Sequence, residues 1–410
     1  MGDILFLAHR MPFPPDRGDK IRSHHLLKAL AELADVHVGC FGDTDGDFAH
    51  EAELAATAKS HCLVRRSKSM AVSGIEALAS GKPVSLTAFA HKALTRWVTS
   101  TIEQHAIDTI FVFSGQMGQF IPDSFKGRVI IDLCDVDSAK FEAYAKEASA
   151  PRSWIDAREG RKLSAVEEGL ASRADATLFV SQAEADLFRS RLNRPSRANI
   201  AAIRNGIDTA FFDPSTVIGN SELTQSSGPN FVFTGQMDYA PNIAAAERVI
   251  GRLLPAIRQT HPGAAFHVVG RAPTDRLMRH DGKAGVRIWG EVPDVRPFLA
   301  AADIVIAPLE IARGIQNKVL EAMAMARPVL LSAEAATGID ASDGEHFRIG
   351  NSDDALIAAA LDMLANPAAT AGMASAAREY VAQNQSWSAM LSPLSLLCGL
   401  SPRGNARDAA

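Results

Sequence analysis

The stretch Ala302–Ser332 reads ADIVIAPLEIARGIQNKVLEAMAMARPVLLS. Its apolar run Ile304–Ala307 predicts a buried strand, and the polar loop that follows contains one glycine, Gly314. Apolar residues at helical spacing then predict a helix over Val319–Ala324, and Val329–Leu331 predicts a second strand. Strand, glycine loop, helix and strand form a βαβ unit, in which ligands bind at the carboxyl ends of the strands.

The loop and the first helical turn of this unit carry Arg313, Lys318 and Glu321. Free backbone N–H groups at a helix N-terminus, flanked by two cations, favour a phosphate group. A carboxylate one turn further along is able to accept hydrogen bonds from a ribose. We therefore interpret the stretch as the donor site of a nucleotide-sugar enzyme. The alternative is an ordinary βαβ unit whose charged loop is simply hydrated.

The size and charge of the whole chain limit the classes of protein to which it can belong. With 410 residues it is too long for one ordinary core, so we expect two domains. A net charge of −5 argues against a nucleic-acid partner. The four cysteines lie far apart, without the spacing of a metal site, and no signal peptide or membrane span is predicted. We expect a cytoplasmic protein.

The first half begins with a predicted strand, Ile4–Ala8, and a long charged loop that contains Gly18. Arg17, Lys20 and Arg22 lie in or beside this loop, directly before a predicted helix. A long loop with cations in front of a helix favours an anion site. The alternative is a surface loop with hydrated cations.

Further predicted strands alternate with helices, which indicates a parallel, doubly wound sheet. Polar residues follow two of these strands: Ser114 follows one, and Asp135 and Asp137 follow the next. Because ligands bind at the carboxyl ends of parallel strands, these residues are candidates for sugar binding. Asp135 and Asp137 are alternatively caps of the following helix.

The second half repeats this organisation. The polar segment Gly219–Asn230 has the composition of an interdomain linker, and a second set of alternating elements starts at Phe231–Thr234. Neither half contains a P-loop or a clean GxGxxG sequence, which weakens the cases for an NTPase and a dehydrogenase. The apolar segment Ser386–Leu400 is either an amphipathic membrane anchor or a packed helix, and the absence of basic residues favours packing.

The ordered motifs of the chain resemble the retaining glycosyltransferases often called family 4. They are PPDRGDKIRSHHLLKALAE, VSQAEADLF, IRNGIDTAFF, FHVVGRAP, VRIWGEVPDVRPFLAAADIVIAPL and KVLEAMAMARPVLLS, and they span essentially the whole chain. The segments FTGQMDYAPN, GIQNKVLEAMA and DLCDVDS are similar to a subgroup associated with bacterial exopolysaccharide assembly and PEP-CTERM protein sorting.

The resemblance implies the GT-B fold, an α/β protein of two Rossmann-like doubly wound domains facing across a cleft. We expect an N-terminal, acceptor-side domain over residues 1–212 and a C-terminal, nucleotide-sugar donor domain over residues 213–383. Residues 384–410 are expected to form a helix that crosses back to the N-terminal domain, followed by a frayed tail.

The resemblance also implies roles for individual residues. Arg313 and Lys318 are the catalytic candidates, because stabilising a departing diphosphate is electrostatic work. Glu321 would hold the ribose, and Gly290 to Val292 would lie near the base. The expected donor-binding residues are Gly18, Gly235, Gln236, Arg271, Gly290, Val292, Gly314, Ile315, Gln316, Asn317 and Glu321. The acceptor-side candidates are Arg22, His24, Ser114, Asp135 and Asp137.

Two departures from the family pattern concern the diphosphate. The family usually has a glutamate eight residues before the ribose-binding one, where this chain has Arg313. It also commonly has an arginine and a lysine in the loop that corresponds to Gly235–Asn242, which here contains neither. Our hypothesis is that Arg313 and Lys318 supply the missing positive charge.

The implied reaction transfers a sugar from a nucleoside diphosphate to an acceptor hydroxyl with retention. No cofactor and no metal are expected, since the DxD sequence Asp135–Asp137 lies in the N-terminal half. The acceptor is a saccharide or a lipid-linked saccharide, and a lipid carrier would place the protein at the inner membrane face. The alternatives are an epimerase or hydrolase of sugar nucleotides on the same fold, and a non-catalytic sugar-nucleotide sensor.

Overall fold

The computed structural model describes residues 2–193, 198–312 and 314–400, which form two compact units. The first unit holds the described residues up to Asn205 together with those from Met390 onward. The second unit runs from Gly206 to Ala389. The last described segment therefore belongs with the N-terminal half of the chain. The division at residues 1–212, 213–383 and 384–410 stays a prediction.

A seven-stranded parallel sheet organises the first unit, in the order β3-β2-β1-β4-β5-β6-β7. Its central strands are nearly continuous buried apolar runs, as expected for a sheet covered on both faces. The strands are β1 (Asp3–Ala8), β2 (Val36–Gly42), β3 (Ser60–Arg65), β4 (Ile107–Phe113), β5 (Arg128–Cys134), β6 (Ala176–Phe179) and β7 (Ile200–Ala202).

Helices connect these strands, as the alternating sequence pattern predicts. They are α1 (Gly18–Leu33), α2 (Asp45–Ala49), α3 (Glu51–Thr57), α4 (Met70–Ser80), α5 (Val84–Phe89), α6 (Lys92–Gln104), α7 (Asp137–Glu147), α8 (Arg152–Arg173) and α9 (Gln182–Arg191). A 3₁₀ segment, Gly115–Phe120, follows β4. The strand order reverses between β1 and β4, and this reversal creates a crevice at their carboxyl ends.

The second unit contains a six-stranded parallel sheet in the order β10-β9-β8-β11-β12-β13. Its strands are β8 (Asn230–Thr234), β9 (Ala265–Val269), β10 (Val286–Gly290), β11 (Ile304–Ala307), β12 (Val329–Leu331) and β13 (Arg348–Ile349). The predicted bounds of β11 and β12 are confirmed. Here the strand order reverses between β8 and β11, whose pairing aligns Ile304 with Phe231.

The helices of the second unit cover both faces of this sheet. They are α10 (Ser221–Thr224), α11 (Ala240–Arg248), α12 (Leu254–Thr260), α13 (Asp275–Met278), α14 (Arg296–Ala300), α15 (Asn317–Ala324), α16 (Ala333–Ala336), α17 (Asp353–Ala365) and α18 (Pro367–Asn384). A π-helical turn, Val249–Leu253, joins α11 to α12. The predicted fold class, α/β with two parallel sheets, is confirmed.

The segment Gly219–Asn230, predicted as a linker, instead lies inside the second unit. Asn220 caps α10 by accepting from the backbone N–H groups of Glu222 and Leu223, and Leu223 is fully buried. The polar composition that suggested a linker reflects capping and turns around this buried leucine.

The described part of the chain ends with two short helices, α19 (Trp387–Leu391) and α20 (Leu394–Cys398). Leu394 and Cys398 are buried, and α20 packs on α1 and β5 of the first unit. Arg128 Nη1 donates to the carbonyl oxygen of Leu397 at 3.1 Å. This segment packs on the protein, as the sequence favours.

Among the described helices, none is by itself long and apolar enough to cross a membrane. The consecutive helices α17 and α18 meet that test together by length and composition, but the chain bends by 104° between them.

Candidate functional site

A cavity of about 500 Å³ lies at the carboxyl edge of the second unit's sheet. It is bordered by the ends of β8 and β9, by the loop after β10 and by the start of α15. The strand order reverses at β8 and β11, which is where open α/β sheets bind their ligands. The lining residues are Thr234, Gly235, Gln236, Val269, Gly270, Arg271, Glu291, Val292, Val295, Ile315, Asn317, Lys318 and Glu321.

Lys318 is the cation that α15 presents to this cavity. Its Nζ donates to Oδ1 of Asn242 at 2.5 Å and lies 4.6 Å from the centre of the Phe233 ring. Burial lowers the pKa of Lys318 to about 8, although the nearby Glu321 carboxylate acts in the opposite direction. No carboxylate within ion-pair distance of Nζ is found in the described part of the chain, so an anionic ligand is well placed to provide one.

Glu321 lies one turn further along α15 and lines the same cavity. Burial raises the pKa of its carboxyl to about 7, against the opposing effect of Lys318. A carboxylate in this position accepts hydrogen bonds and donates none, so it fits a ligand with hydroxyl groups. Perturbed pKa values in a cavity are typical of functional sites.

Arg271 brings a second cation to the cavity from the end of β9. Its Nη2 donates to Oε1 of Gln236 at 3.0 Å. The segment Gly235–Asn242, which runs from the loop after β8 into α11, contains no cation, but Lys318 donates to Asn242 and Arg271 donates to Gln236. Two other elements thus place positive charge beside this segment; that Arg313 and Lys318 replace the family's cations stays a prediction.

Two glycines allow the strand ends to approach one another beside this charge. Gly270 has φ +152°, and a Cβ there would overlap the carbonyl oxygen of Gly235. A Cβ on Gly235 would lie 2.9 Å from Asn242 Nδ2 and 3.0 Å from Lys318 Nζ. Thr234 Oγ1 is buried beside them and has no hydrogen-bond partner among the described residues. It is a further polar group available to a ligand.

The structure brings most of the sequence-predicted donor residues together. Those that line the cavity are Gly235, Gln236, Arg271, Val292, Ile315, Asn317, Lys318 and Glu321. Gly290 ends β10 with φ +68°, directly before the lining residue Glu291. Gly314 and Gln316 lie in the loop before α15 without lining the cavity. Arg313 lies outside the described residues.

Four lining residues were not predicted: Thr234, Val269, Gly270 and Val295. Glu291 also lines the cavity and lies within the segment Gly290–Val292 that was expected near the base. For Gly270 the sequence contains a signal, because this glycine directly follows the apolar run Ala265–Val269. Thr234 and Val269 are the last residues of buried strands, and an apolar or β-branched residue there looks like any other core position.

The first unit places its predicted residues in other settings. Gly18 starts α1, and a Cβ there would meet no atom within 4 Å. Arg22, an acceptor-side candidate, is buried: its Nε donates to Asp132 Oδ2 at 2.9 Å and its Nη1 to Asn205 Oδ1 at 2.8 Å. The Arg22 guanidinium thus makes its hydrogen bonds to residues of the protein itself. His24 is also buried, with its ring 4.8 Å from that of Phe13.

The other acceptor-side candidates lie at strand ends as expected. Ser114 has φ +77° after β4, and its hydroxyl contacts Gln116. Asp135 and Asp137 both bind Lys140, at 2.8 Å and 3.3 Å. The capping alternative for these aspartates is wrong, because Val136 is the N-cap of α7 and makes no side-chain capping bond.

The loop cations of the first unit are largely neutralised. Lys20 is buried and lies 2.7 Å from Asp47, and Arg17 lies 3.5 Å from Asp19. Hydrogen bonds from Lys20 and from the backbone lower the pKa of Asp47 to about 2, against the effect of burial. The prediction of an anion site built on Arg17, Lys20 and Arg22 is not supported by this arrangement.

One group of potential metal ligands lies near the amino ends of β1, β2 and β4 in the first sheet: Asp3, His37 and His105. His37 Nε2 is 3.0 Å from Asp3 Oδ2, and its Nδ1 is 2.7 Å from Ser60 Oγ. Lys59 Nζ lies 2.9 Å from the same Asp3 oxygen. The lysine already provides the positive charge that this carboxylate needs.

A protein-family model matches the part of the chain that contains this cavity. Residues 228–366, which include the whole cavity, match the family model described as glycosyl transferases group 1. The glycogen synthase of Mycobacterium tuberculosis (strain CDC 1551 / Oshkosh) is 27% identical over 256 residues. That match covers 60% of this chain and 58% of that protein, so it spans less than two thirds of the relative.

Solved structures match over nearly the full length. Sucrose-phosphate synthase (tll1590) from Thermosynechococcus elongatus has a TM-score of 0.58 at 17% identity, covering 97% of this chain and 98% of that one. Alr3699/HepE from Anabaena in complex with UDP has a TM-score of 0.57 at 16% identity, covering 97% and 100%. These likenesses show the fold: two Rossmann-like α/β units, as in GT-B glycosyltransferases.

Proposed function

We propose that this chain is a retaining glycosyltransferase that moves a sugar from a nucleoside diphosphate to an acceptor hydroxyl. The observation that carries the proposal is the convergence of Lys318 and Arg271 on one cavity, with Glu321 one turn along the same helix as the lysine. Two cations suit a diphosphate, and the half-buried Glu321 carboxylate suits the hydroxyl groups of a ribose.

The comparisons support a nucleotide-sugar donor. The family match of residues 228–366 covers every residue that lines the cavity. The neighbour HepE binds UDP in one structure and UDP-glucose in another. The membership of this chain in the family, the identity of its base and sugar, and retention of configuration belong to the proposal.

In the proposed reaction, the bond between the anomeric carbon and the β-phosphate oxygen breaks, and that oxygen keeps the electron pair. A new bond forms between the anomeric carbon and the acceptor oxygen, and the proton of that hydroxyl passes to the departing diphosphate. Lys318 and Arg271 stabilise the charge that develops on the diphosphate, while Glu321 fixes the donor through its ribose. Arg313 is proposed from the sequence as a third cation.

The acceptor side of the proposal rests on the sequence motifs. We propose a saccharide or lipid-linked saccharide acceptor and a role in bacterial exopolysaccharide or glycoconjugate biosynthesis. Asp135 and Asp137 are half-buried after β5, and Ser114 is buried directly after β4; these three stay the proposed acceptor candidates. No metal or cofactor is part of the proposed mechanism.

The first experiment is a thermal-shift screen of the full chain against UDP-, GDP-, ADP- and dTDP-sugars. A donor that binds the folded protein raises its melting temperature. The stabilising donor is then incubated with saccharide and lipid-linked acceptors, and the anomeric configuration of the product is read by NMR. The expected result is an acceptor-dependent product that retains the donor configuration.

Each alternative has its own result. An epimer or a free sugar formed without acceptor would favour an epimerase or a hydrolase. Binding without turnover over a broad acceptor panel would favour a sensor. If no nucleotide sugar shifts the melting temperature, the proposed donor site is wrong.

A further inference from the structure

Helix α4 has an unusual surface for a helix of a folded domain. Its buried residues are the small side chains Ser73 and Ala77, whereas its large apolar residues face outward. Met70 is 66% exposed, Val72 48%, Ile75 69% and Leu78 71%. Single exposed apolar residues are common, but four on an eleven-residue helix form a patch that marks an interaction surface.

The start of α8 adjoins the C-terminal end of α4 and adds to this patch. Arg158 Nη2 donates to the carbonyl oxygens of Ala77, at 2.8 Å, and Lys82, at 3.1 Å. One turn earlier on α8, Trp154 is 73% exposed and Ile155 is 57% exposed. We call the outward residues of α4 together with Trp154 and Ile155 the α4 surface.

The α4 surface is held firmly from beneath. Thr87 Oγ1 of α5 donates to the carbonyl oxygen of Ser73 at 2.8 Å. Glu159 of α8 accepts from the backbone N–H groups of Val84 and Ser85, both at 2.8 Å. The apolar side chains are therefore presented by an anchored helix, so their exposure is a property of the folded unit.

The charge around α4 indicates what covers this surface. Between residues 65 and 96 the sequence contains six cations, Arg65, Arg66, Lys68, Lys82, Lys92 and Arg96, but one carboxylate, Glu76. The whole chain, in contrast, has a net charge of −5. Along the sequence, positive charge is thus concentrated in the segment that contains α4.

Three of these cations are already paired: Arg65 with Asp45, Arg66 with Asp43, and Lys68 with Glu76. The other three, Lys82, Lys92 and Arg96, are exposed and have no carboxylate within ion-pair distance in the described ranges. An apolar helical face with unpaired cations beside it complements an anionic lipid surface, which offers acyl chains and negative headgroups together. A tryptophan at the edge of the patch is typical of the membrane interface.

We infer that the α4 surface docks on an anionic lipid bilayer, with α4 lying in the interface plane. α4 is the next element after β3, so it begins beyond the carboxyl end of that strand, which is the outer strand of the first sheet. Docking there would bring this edge of the first unit to the membrane. The docking itself does not depend on the proposed function. The further statement, that a lipid-linked acceptor is presented to this edge, rests on the proposed function.

The experiment measures binding of the full chain to vesicles by co-sedimentation, without any activity readout. Vesicles of phosphatidylcholine with phosphatidylglycerol are compared with vesicles of phosphatidylcholine alone. We expect binding to the anionic vesicles that weakens as salt is added. Replacing Ile75 and Leu78 together by glutamate is expected to lower the partition coefficient by at least about tenfold.

Matched variants separate the α4 surface from general stickiness. Ile218→Glu changes an apolar residue of the second unit that is 90% exposed and is expected to leave vesicle binding unchanged. Lys82→Glu with Lys92→Glu is expected to weaken binding, whereas Lys126→Glu, at another exposed lysine, is not. Because all these side chains are exposed, the variants are expected to fold, and their melting temperatures check this.

Two results would overturn the inference. The first is that the wild-type chain fails to bind anionic vesicles, or binds them as well after the Ile75→Glu and Leu78→Glu changes. The second is that the chain forms a dimer without lipid which these two changes dissociate, because a second copy would then occupy the surface. Light scattering of both proteins decides this point.

Discussion

Lys318 and Glu321 lie three residues apart on α15 and line the same cavity, and their pKa values are displaced toward each other. Burial lowers the pKa of Lys318 to about 8 and raises that of Glu321 to about 7. Removing both groups from water costs free energy that neither recovers fully from the other. A ligand with a diphosphate and a ribose would provide what each lacks.

The first prediction is a bell-shaped pH dependence of donor binding. Glu321 must lose its proton to act as a full acceptor, so affinity rises as the pH increases through about 7. Lys318 must keep its proton, so affinity falls as the pH increases through about 8. The two limbs belong to the coupled pair, since the groups interact. Titration calorimetry with the stabilising nucleotide sugar measures them.

A nucleotide sugar is the right probe, because its diphosphate lacks the terminal phosphate that titrates near pH 6. Glu321→Gln is expected to remove the acidic limb and to reduce discrimination against the 2′- or 3′-deoxyribose analogue of the donor. An affinity that does not change between pH 6 and pH 9 would contradict this account of the cavity.

The second prediction concerns the charge of Lys318. Lys318→Met removes the ammonium group but keeps a flexible apolar stem, and is expected to weaken nucleotide-sugar binding by about 10- to 100-fold. This range corresponds to the loss of about 1.5–3 kcal/mol for a hydrogen bond to a charged group. Lys318→Arg keeps the charge and should retain part of the affinity.

Lys283→Met is the matched control, because Lys283 is exposed in the same unit and does not line the cavity. The affinity of the Lys283→Met variant for the nucleotide sugar should equal that of the wild type. Equal affinities for Lys318→Met and the wild type would show that the diphosphate, if bound, is held elsewhere.

The local parts of this site could be predicted from the sequence. The strands β11 and β12 and the helix α15 follow from apolar runs and helical spacing, which depend on neighbouring residues alone. Lys318 and Glu321 could be found for the same reason, since they lie one turn apart on that helix.

The parts that depend on distant contacts could not be predicted. Arg22 and Lys20 suggested an anion site, but Asp132 and Asp47 bind them from 110 and 27 positions along the chain. The parallel pairing of β8 with β9 likewise brings Arg271 to Gln236, which are 35 residues apart. No local pattern encodes such a meeting, because register and packing determine it.

The third prediction tests the close approach of β8 and β9. Gly270→Ala would place a Cβ against the carbonyl oxygen of Gly235 at a φ that side chains rarely adopt. Overpacking of this kind costs about 1–3 kcal/mol, so the melting temperature should fall by several degrees. Calorimetric melting measures the change, and Gly251→Ala, whose Cβ would meet nothing within 4 Å, is the control.

Gly235→Ala carries the same backbone strain, because φ is also +152° there, but it adds no overlap with a backbone atom. Its Cβ would meet the side-chain ends of Asn242 and Lys318, which are able to move. Donor affinity should fall while the melting temperature changes less than in Gly270→Ala. A Gly270→Ala protein as stable as the wild type would contradict the packing described here.

The fourth prediction concerns the buried ion pair of the first unit. Arg22→Met would leave the Asp132 carboxylate, which has no exposed surface, without its countercharge. Breaking a buried pair in this way costs about 3–5 kcal/mol. Adding Asp132→Asn should recover part of this loss, because the uncompensated charge is then removed. Denaturant unfolding of the single and double variants measures both effects.

Arg96→Met is the control for that experiment, since Arg96 is exposed on α6. It should change the free energy of unfolding by less than about 0.5 kcal/mol. A double variant less stable than Arg22→Met alone would show that Asp132 is held chiefly by its other partner, the backbone N–H of Cys134.

The fifth prediction is an acid-dependent loss of stability caused by His267. Trp289 Nε1 donates to His267 Nδ1 at 3.2 Å, so the ring proton lies on Nε2, which donates to Asn230 Oδ1 at 3.1 Å. Burial, and to a lesser extent Arg287, lowers the pKa of His267 from 6.5 to about 4. Protonation of Nδ1 would set two N–H groups against each other.

The sign follows from proton binding. Between pH 6.5 and pH 4 the unfolded chain binds a proton at this histidine that the folded chain does not, so acidification favours unfolding. A shift of this size lowers the free energy of unfolding by about 3 kcal/mol across that range.

The variant His267→Gln has no imidazole to titrate, but it also loses the Nδ1 atom that accepts the hydrogen bond from Trp289. It should therefore be less stable than the wild type at pH 7. The stability difference between the two proteins should narrow as the pH falls to 4.5, because the titrations of all other groups are common to both. Urea unfolding at a series of pH values measures it, and a difference that stays constant would mean that His267 binds its proton equally in both states.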